Sequence, residues 1–352
     1  MRNGMNISGF SEIVHEVQRE PQQALFRYGA YARCSPTGDM LAGVHPATIG
    51  TLRAPRCFEV PVRPGSSLAA YGMLEAATPR ELALIALSGC FLVSAVSGFS
   101  ARRTTVGHLS MTTRASMTEG DTLAPQVRYQ IRSLIDKKIS EVVDVIEAVK
   151  SHSPNHQSFV QPLPLSVSVI AAGEPLLDLQ FPAQAEAGAS LDQPQKLALD
   201  CQWLYGTQLR ADFQRQDASD RRSFLIDQPK QLAGIDCGPN PQEYLLMAIA
   251  ADVLQQLATR FPLDDTATLD ARAMVDIRGM CDVAPTPVHL QDIELKLSLG
   301  SRVAPRVEEL EQALAQSIAQ SQVCALIRRP VQFEFHIGHD LQAEAREVVS
   351  AQ

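Results

Sequence analysis

Seven cysteines are spread through this 352-residue chain, at Cys34, Cys57, Cys90, Cys201, Cys237, Cys281 and Cys324, and no two stand in a CxxC spacing. Neither a zinc knuckle nor a thioredoxin-like dithiol is therefore supported. Cys90 stands apart because it sits inside residues 82–99, an uncharged run with the length of a central helix. At helical spacing its face holds Ala83, Ala86, Leu87, Val93, Ser94 and Ser97, small enough for a second helix to approach closely. A thiol in such a place is ordinarily a small buried hydrophobe. It becomes a nucleophile only as a thiolate, which takes a nearby cation or hydrogen-bond donors, and this face supplies no charge.

The acids near it have ordinary and chemical readings too. Glu81 precedes Cys90 by nine residues, which at about 100° per residue puts it on the opposite side of a straight helix. Glu81 and Glu243 both follow a helix-opening proline, where an acid favours the positive end of the helix dipole. Their chemical reading is an interface hydrogen bond to a substrate or to an arginine. Arg80 lies nearer Cys90 in angle, though at the far end of the run. Nine residues after Glu243 stands Asp252, on a face with Gln255, Gln256 and Thr259. A charge on a central helix is costly unless paired or wet, so Asp252 marks either a solvated helix end or a polar pocket. His152 and His156 have the spacing of a metal pair, but Pro154 between them breaks the helix that would align them. His336 and His339 lack a partner motif beyond Asp340, and no GxSxG or HExxH occurs, so no metal or cofactor is expected.

Composition narrows the partners. The net charge of −8 and the 5% aromatic content, with Trp203 the one tryptophan, speak against nucleic acid. No apolar stretch follows Arg2, so no signal peptide is visible, and the odd, scattered cysteines suit a reduced cytoplasmic chain. The run 82–99 reaches the length for suspecting a membrane span, but its three serines and two glycines fit a buried helix equally well, and no membrane is expected.

The elements that must position these groups occur twice. Thr78-Pro79-Arg80-Glu81 opens the first apolar helix, and Asn240-Pro241-Gln242-Glu243 opens a second one 162 residues later. Proline in a first turn needs no amide partner. Strand-like stretches at 24–34 and 51–62 precede the first helix, and 196–213 and 222–229 precede the second. After the helices come alternating stretches at 106–117 and 267–280, amphipathic helices at 128–152 and 306–322, and terminal strands at 162–170 and 330–337. The expected fold is α+β, with domains at 1–172 and 196–352 and a linker at 173–195.

This order resembles the OsmC/Ohr family (osmotically inducible protein C and organic hydroperoxide resistance proteins). So do Asp227-Gln228-Pro229, Asp276-Ile277-Arg278-Gly279-Met280 and Ser151-His152-Ser153-Pro154, the last two being similar to segments of a less studied branch. The resemblance implies intertwined halves with central helices packed together, here an intrachain pseudo-dimer. It also places Cys90 where peroxidase members carry their reactive thiolate, with Asp252 at that position in the second unit. There are departures. The region of the second, resolving cysteine reads Ser151 to His156, leaving Cys324 as a distant candidate. Arg80 and Gln242 occupy the position where the hydroperoxide branch has a glutamate paired to an arginine. An activating arginine would come from the first strands, where Arg27, Arg33, Arg210 and Arg215 are available and none is singled out.

The resemblance thus implies a thiol-dependent, hydroperoxide reductase-like enzyme. Its catalytic candidates are Cys90, Glu81, Asp252 and Glu243, and its substrate-binding candidates are Arg33, Arg80, Ser94 and Ser153. Its partners would be a partly apolar small molecule and an external thiol reductant, in a monomeric pseudo-dimer or a higher homo-oligomer. The alternative is a non-peroxidatic enzyme or ligand-binding protein acting on a specialised metabolite between the repeats.

Overall fold

The computed structural model describes residues 1–34, 40–63, 76–116, 126–183, 196–213, 222–300 and 306–339. The first half runs α1 (Ile7–Arg19), β1 (Leu25–Cys34), β2 (Met40–Val44), β3 (Ala47–Ile49), β4 (Leu52–Ala54), β5 (Glu59–Val62), α2 (Pro79–Ala101), β6 (Val106–Ser116) and β7 (Gln126–Ile135). It ends with α3 (Ile139–His152), α4 (Pro154–Val160), β8 (Leu165–Ala171) and β9 (Glu174–Phe181). The second half runs β10 (Lys196–Tyr205), β11 (Gln208–Phe213), β12 (Arg222–Ile226), α5 (Pro241–Ala258), β13 (Thr268–Asp276), α6 (Ile277–Met280) and β14 (Gln291–Leu299). It closes with α7 (Val307–Gln320), α8 (Gln322–Arg328) and β15 (Gln332–His339). The class is α+β.

Each sheet is assembled from both halves. One has the order β4-β3-β1-β13-β14-β8-β9, with β2 paired to β1 and β5 to β2, and the other the order β12-β11-β10-β6-β7-β15. The first strand of each half thus pairs antiparallel with the other half's middle strands, Ala30 opposite Ala271 and Cys201 opposite Met111. The late strands return in the same exchanged sense, β8 parallel to β14 and β15 parallel to β7. The halves are interdigitated.

The expected boundaries change in three places. Residues 128–152, expected as one helix, split into β7 and α3. Val127, Ile131 and Ile135 are four apart, a spacing that satisfies both the helical and the strand period, and the burial of β7 alternates residue by residue. Within the expected linker, 174–181 is instead β9, paired antiparallel to β8; residues 184–195 lie outside the described residues. Pro154 ends α3 as expected, yet it also opens α4, because a proline fits the first turn of a new helix.

The two apolar helices form the centre. Thr78 and Asn240 cap α2 and α5, each reciprocating with a glutamate three residues on, Glu81 or Glu243. The long α2 is apolar enough to cross a membrane, but 83% of its most apolar window is buried inside the fold. It packs along α5. A Cβ on Gly89 would stand 2.8 Å from the end of the Ile226 side chain, so glycine leaves room for that residue of β12 to pack on α2.

Candidate active site

Cys90 is only 2% exposed, yet its sulfur is a focus of donors. Ser153 Oγ donates to Sγ at 3.3 Å, the Asn155 amide at 3.4 Å and Gln242 Nε2 at 3.5 Å. Ser153 and Asn155 belong to the turn where α3 hands over to α4; Gln242 comes from the first turn of α5, in the other half. Asn155 Nδ2 fixes this arrangement by donating to the carbonyls of Ala86 and Pro241, both at 2.9 Å, one on each central helix. Burial pushes the thiol upward, and the hydrogen bonds from Ser153, Asn155, Gln242 and His156 pull the other way. All four donors are neutral.

Beside the sulfur lies a pocket of about 340 Å³. Met5 of the N-terminal segment and Phe10 and Val14 of α1 line it together with Val93, Ser94 and Ser97 of α2 and Val145, Val149 and His152 of α3. Thr207, Gln228 and Gln242 supply polar groups, and Arg102 and Asp282 line it as well. Behind Cys90, the rings of Phe91, Tyr129, His156, Phe333 and Phe335 cluster, with His156 4.2 Å from Phe333 between centroids. Burial pushes His156 down to about 4, so its ring is neutral and does not activate the thiol.

The second half keeps the scaffold and changes the chemistry. Asp252 Oδ2 accepts from Ser321 Oγ at 2.7 Å and from the Val323 amide at 2.9 Å, as Cys90 accepts from Ser153 and Asn155. Burial pushes the Asp252 carboxyl up, opposed by Ser321, Val323 and the positive charge of Arg80. Burial in turn pulls Arg80 below its usual value, against Asp252 and Glu81. Arg80 therefore answers to Asp252, as Gln242 does to Cys90.

Glu81 and Glu243 meet neither sulfur nor pocket. Arg222 holds Glu81 with two bonds of 2.8 and 2.6 Å, and Arg56 Nε lies 2.8 Å from Glu243 Oε1. Arg56 is further held by Asp236 and by the Gly238 carbonyl at 2.8 Å. Burial pushes Glu243 up, with Arg56 opposing. Both acids are helix caps, and each makes the interface bond to an arginine that the sequence reading named for it; neither stands among the residues that line the pocket.

Among the other expected residues, Ser94 lines the pocket and Ser153 touches the sulfur. Arg33 does not belong there: it is half exposed on β1, 2.9 Å from Glu59. Arg27 is exposed, Arg210 pairs with Asp212, and Arg215 lies outside the described residues. Cys324 is buried beside Ser321 on the Asp252 side, its thiol pushed up to about 12 by burial. Among the described residues no group of three or more His, Cys, Asp or Glu is placed to hold a metal.

Three contributors escaped the sequence. Arg56 and Arg222 sit in or beside β5 and β12, and nothing in their local spacing points to glutamates more than 140 residues away. Cys281 lines the same pocket as Cys90, its thiol pushed up to about 11 by burial. The DIRGM segment was legible as a motif but its role was not. Asp276 caps α6 and grips Arg278 at 2.6 Å, and a Cβ on Gly279 would stand 2.3 Å from the Thr286 carbonyl, so the segment forms the tight turn that carries Cys281.

Residues 72–168 match the family model for OsmC-like protein. A solved OsmC like protein from Mycoplasma pneumoniae is similar at 18% identity, covering 37% of this chain and 85% of that one, with a TM-score of 0.28. No curated protein matches the chain. The segment matched by the family model contains α2, β6, β7, α3 and α4 and ends within β8, and so includes Cys90, Ser153 and Asn155. Over residues 72–168 the chain carries an OsmC-like domain.

Proposed function

We propose that the protein is a thiol-dependent reductase of organic hydroperoxides, working through Cys90 in the pocket between the halves. The observation that carries this reading is the sulfur at the pocket wall with Ser153, Asn155 and Gln242 donating to it. Such donors favour the thiolate over the thiol. An apolar hydroperoxide would occupy this mostly apolar pocket with its peroxy end toward Sγ. The sulfur attacks the distal oxygen, the O–O bond breaks, and the departing alkoxide takes up the proton released by the thiol and leaves as the alcohol. Cys90 is left as the sulfenic acid. An external thiol then forms a mixed disulfide with release of water, and a second thiol frees Cys90. The protein acts in the reducing cytoplasm, with no nucleic acid or membrane partner.

Consumption of cumene hydroperoxide with dithiothreitol or a lipoylated reductant tests this. Wild type is expected to turn over, and Cys90→Ser to fall to the uncatalysed rate. Equal background rates for the two proteins overturn it. A second reading, capture of an apolar metabolite without redox chemistry, is favoured by the burial that raises the thiol. It predicts that Cys90→Ser binds the same ligands as wild type with no peroxide consumed by either.

A further inference from the structure

The motif Asp227-Gln228-Pro229 reaches the wall of the Cys90 pocket, where Gln228 is a lining residue only 9% exposed. Its backbone amide is bonded to Asp227, but among the described residues its carboxamide has no hydrogen-bond partner. Buried polar groups are ordinarily paired, so a free carboxamide on a pocket wall marks a place for a ligand's polar atom. We propose that Gln228 holds the oxygen-bearing end of the ligand beside Cys90, and that the inner pocket takes neutral, apolar molecules carrying a hydroxyl or hydroperoxy group. The contact deepens the reading of Cys90 as a peroxide-reducing thiol, and its chemical step rests on that reading.

The backbone that carries Gln228 is fixed. Asp227, fully buried, accepts from Thr207 Oγ1 at 2.5 Å and from the amides of Gln228, Ile235 and Cys237 at 2.8, 2.9 and 3.1 Å. Pro229 restricts the residue before it to extended backbone. The motif also stands at the reactive end of the pocket: the Asp227 amide donates to the Pro239 carbonyl just ahead of α5, and Ile226 packs at Gly89, the neighbour of Cys90. The charged lining residues lie farther out. Arg102 is exposed and stands twelve residues past Cys90, about 18 Å along α2, and Asp282 is exposed as well. Ser153, Gln242 and Gln228 are all neutral, which suits an uncharged polar end. When Sγ attacks the distal oxygen of a hydroperoxide, the S–O bond forms as the O–O bond breaks, and the electron pair passes to the proximal oxygen. Gln228 Nε2 donates a hydrogen bond to that oxygen while it carries charge, and the proton released by the thiol completes the alcohol. Gln228 gives up no proton.

Binding to the reduced full-length protein tests the contact without turnover. The probes are 2-phenyl-2-propanol, the alcohol formed from cumene hydroperoxide, and isopropylbenzene, which has the same ring and no oxygen, each titrated by nuclear magnetic resonance. Gln228→Met removes the carboxamide at similar length and is expected to weaken the alcohol about tenfold while leaving the hydrocarbon within about twofold. Circular dichroism checks folding, and if the methionine variant does not fold, Gln228→Leu takes its place. A wild type that binds no alcohol, an alcohol affinity unchanged by the substitution, or a loss shared equally by the hydrocarbon overturns the proposal. Hydroperoxide turnover is a separate readout, and kcat/KM for cumene hydroperoxide is expected to fall at least about tenfold in Gln228→Met. Unchanged kcat/KM in that variant removes the chemical step. A wild type that binds the alcohol through Gln228 yet consumes no peroxide contradicts the reductase reading and leaves the Gln228 contact standing.

Discussion

Arg222 closes on both oxygens of Glu81, and the two residues come from opposite halves of the chain. The side chains are nearly buried, at 5% and 10% exposure. Removing one partner of a buried pair strands the other, which costs about 3–5 kcal/mol, while replacing both with apolar residues costs much less. Arg222→Ala is therefore expected to lower the urea midpoint sharply, and Arg222→Met with Glu81→Leu to recover most of the loss. An Arg222→Ala protein that unfolds at the wild-type urea concentration contradicts this.

The exchanged strands make the halves interdependent. Residues 1–183 leave β1 without β13, and residues 196–352 leave β10 without β6. Each exposes sheet edges and an apolar central helix, so each half alone is expected to be unfolded or aggregated, and the two expressed together to form one complex. A well-dispersed amide spectrum from either half by itself would rule the arrangement out.

His156 gives the fold an acid sensitivity. Its pKa is depressed from 6.5 to about 4, so below pH 6.5 the unfolded chain takes up a proton that the folded chain refuses. Stability from this group is complete above about pH 6.5 and declines as pH falls toward 4, by about 3 kcal/mol in all. His156→Gln is expected to be less stable at neutral pH, through lost ring contacts, but to show a shallower decline across that window. Parallel stability curves for the two proteins would show that His156 is not the titrating group.

Asp252 is expected to be a structural acceptor. Asp252→Ala leaves Ser321 Oγ and the Val323 amide without their acceptor, at about 1–3 kcal/mol per stranded group. Asp252→Asn keeps an acceptor oxygen and loses less. Thermal midpoints of the two variants check the order, and an alanine variant as stable as the asparagine one would show that the bonds contribute nothing.

The helix openings at Pro79 and Pro241 were legible because proline, glutamate and cap residue act locally, within one turn. From them followed the two-fold order of elements and the position of Cys90 opposite Asp252. What stayed illegible depends on contacts distant in sequence. Arginine candidates sought along the first strands, such as Arg33, proved to pair with local acids, whereas Arg56 and Arg222 reach glutamates of the other half. The N-terminal stretch drew notice only as a segment without a signal peptide, because its pocket residues, Met5 ahead of α1 and Phe10 and Val14 on it, acquire meaning only in the folded pocket. The strand β7 was hidden by a four-residue spacing common to both periods.

The central claim is that Cys90 is a nucleophile and not a packed apolar thiol. Its most direct measurement is a single addition of cumene hydroperoxide to the reduced full-length protein in the presence of dimedone, followed by peptide mass spectrometry. The account predicts a dimedone adduct on Cys90, formed ahead of any on the other six cysteines and lost in Cys90→Ser. An unmodified Cys90 in protein whose exposed Cys57 is already labelled would contradict it.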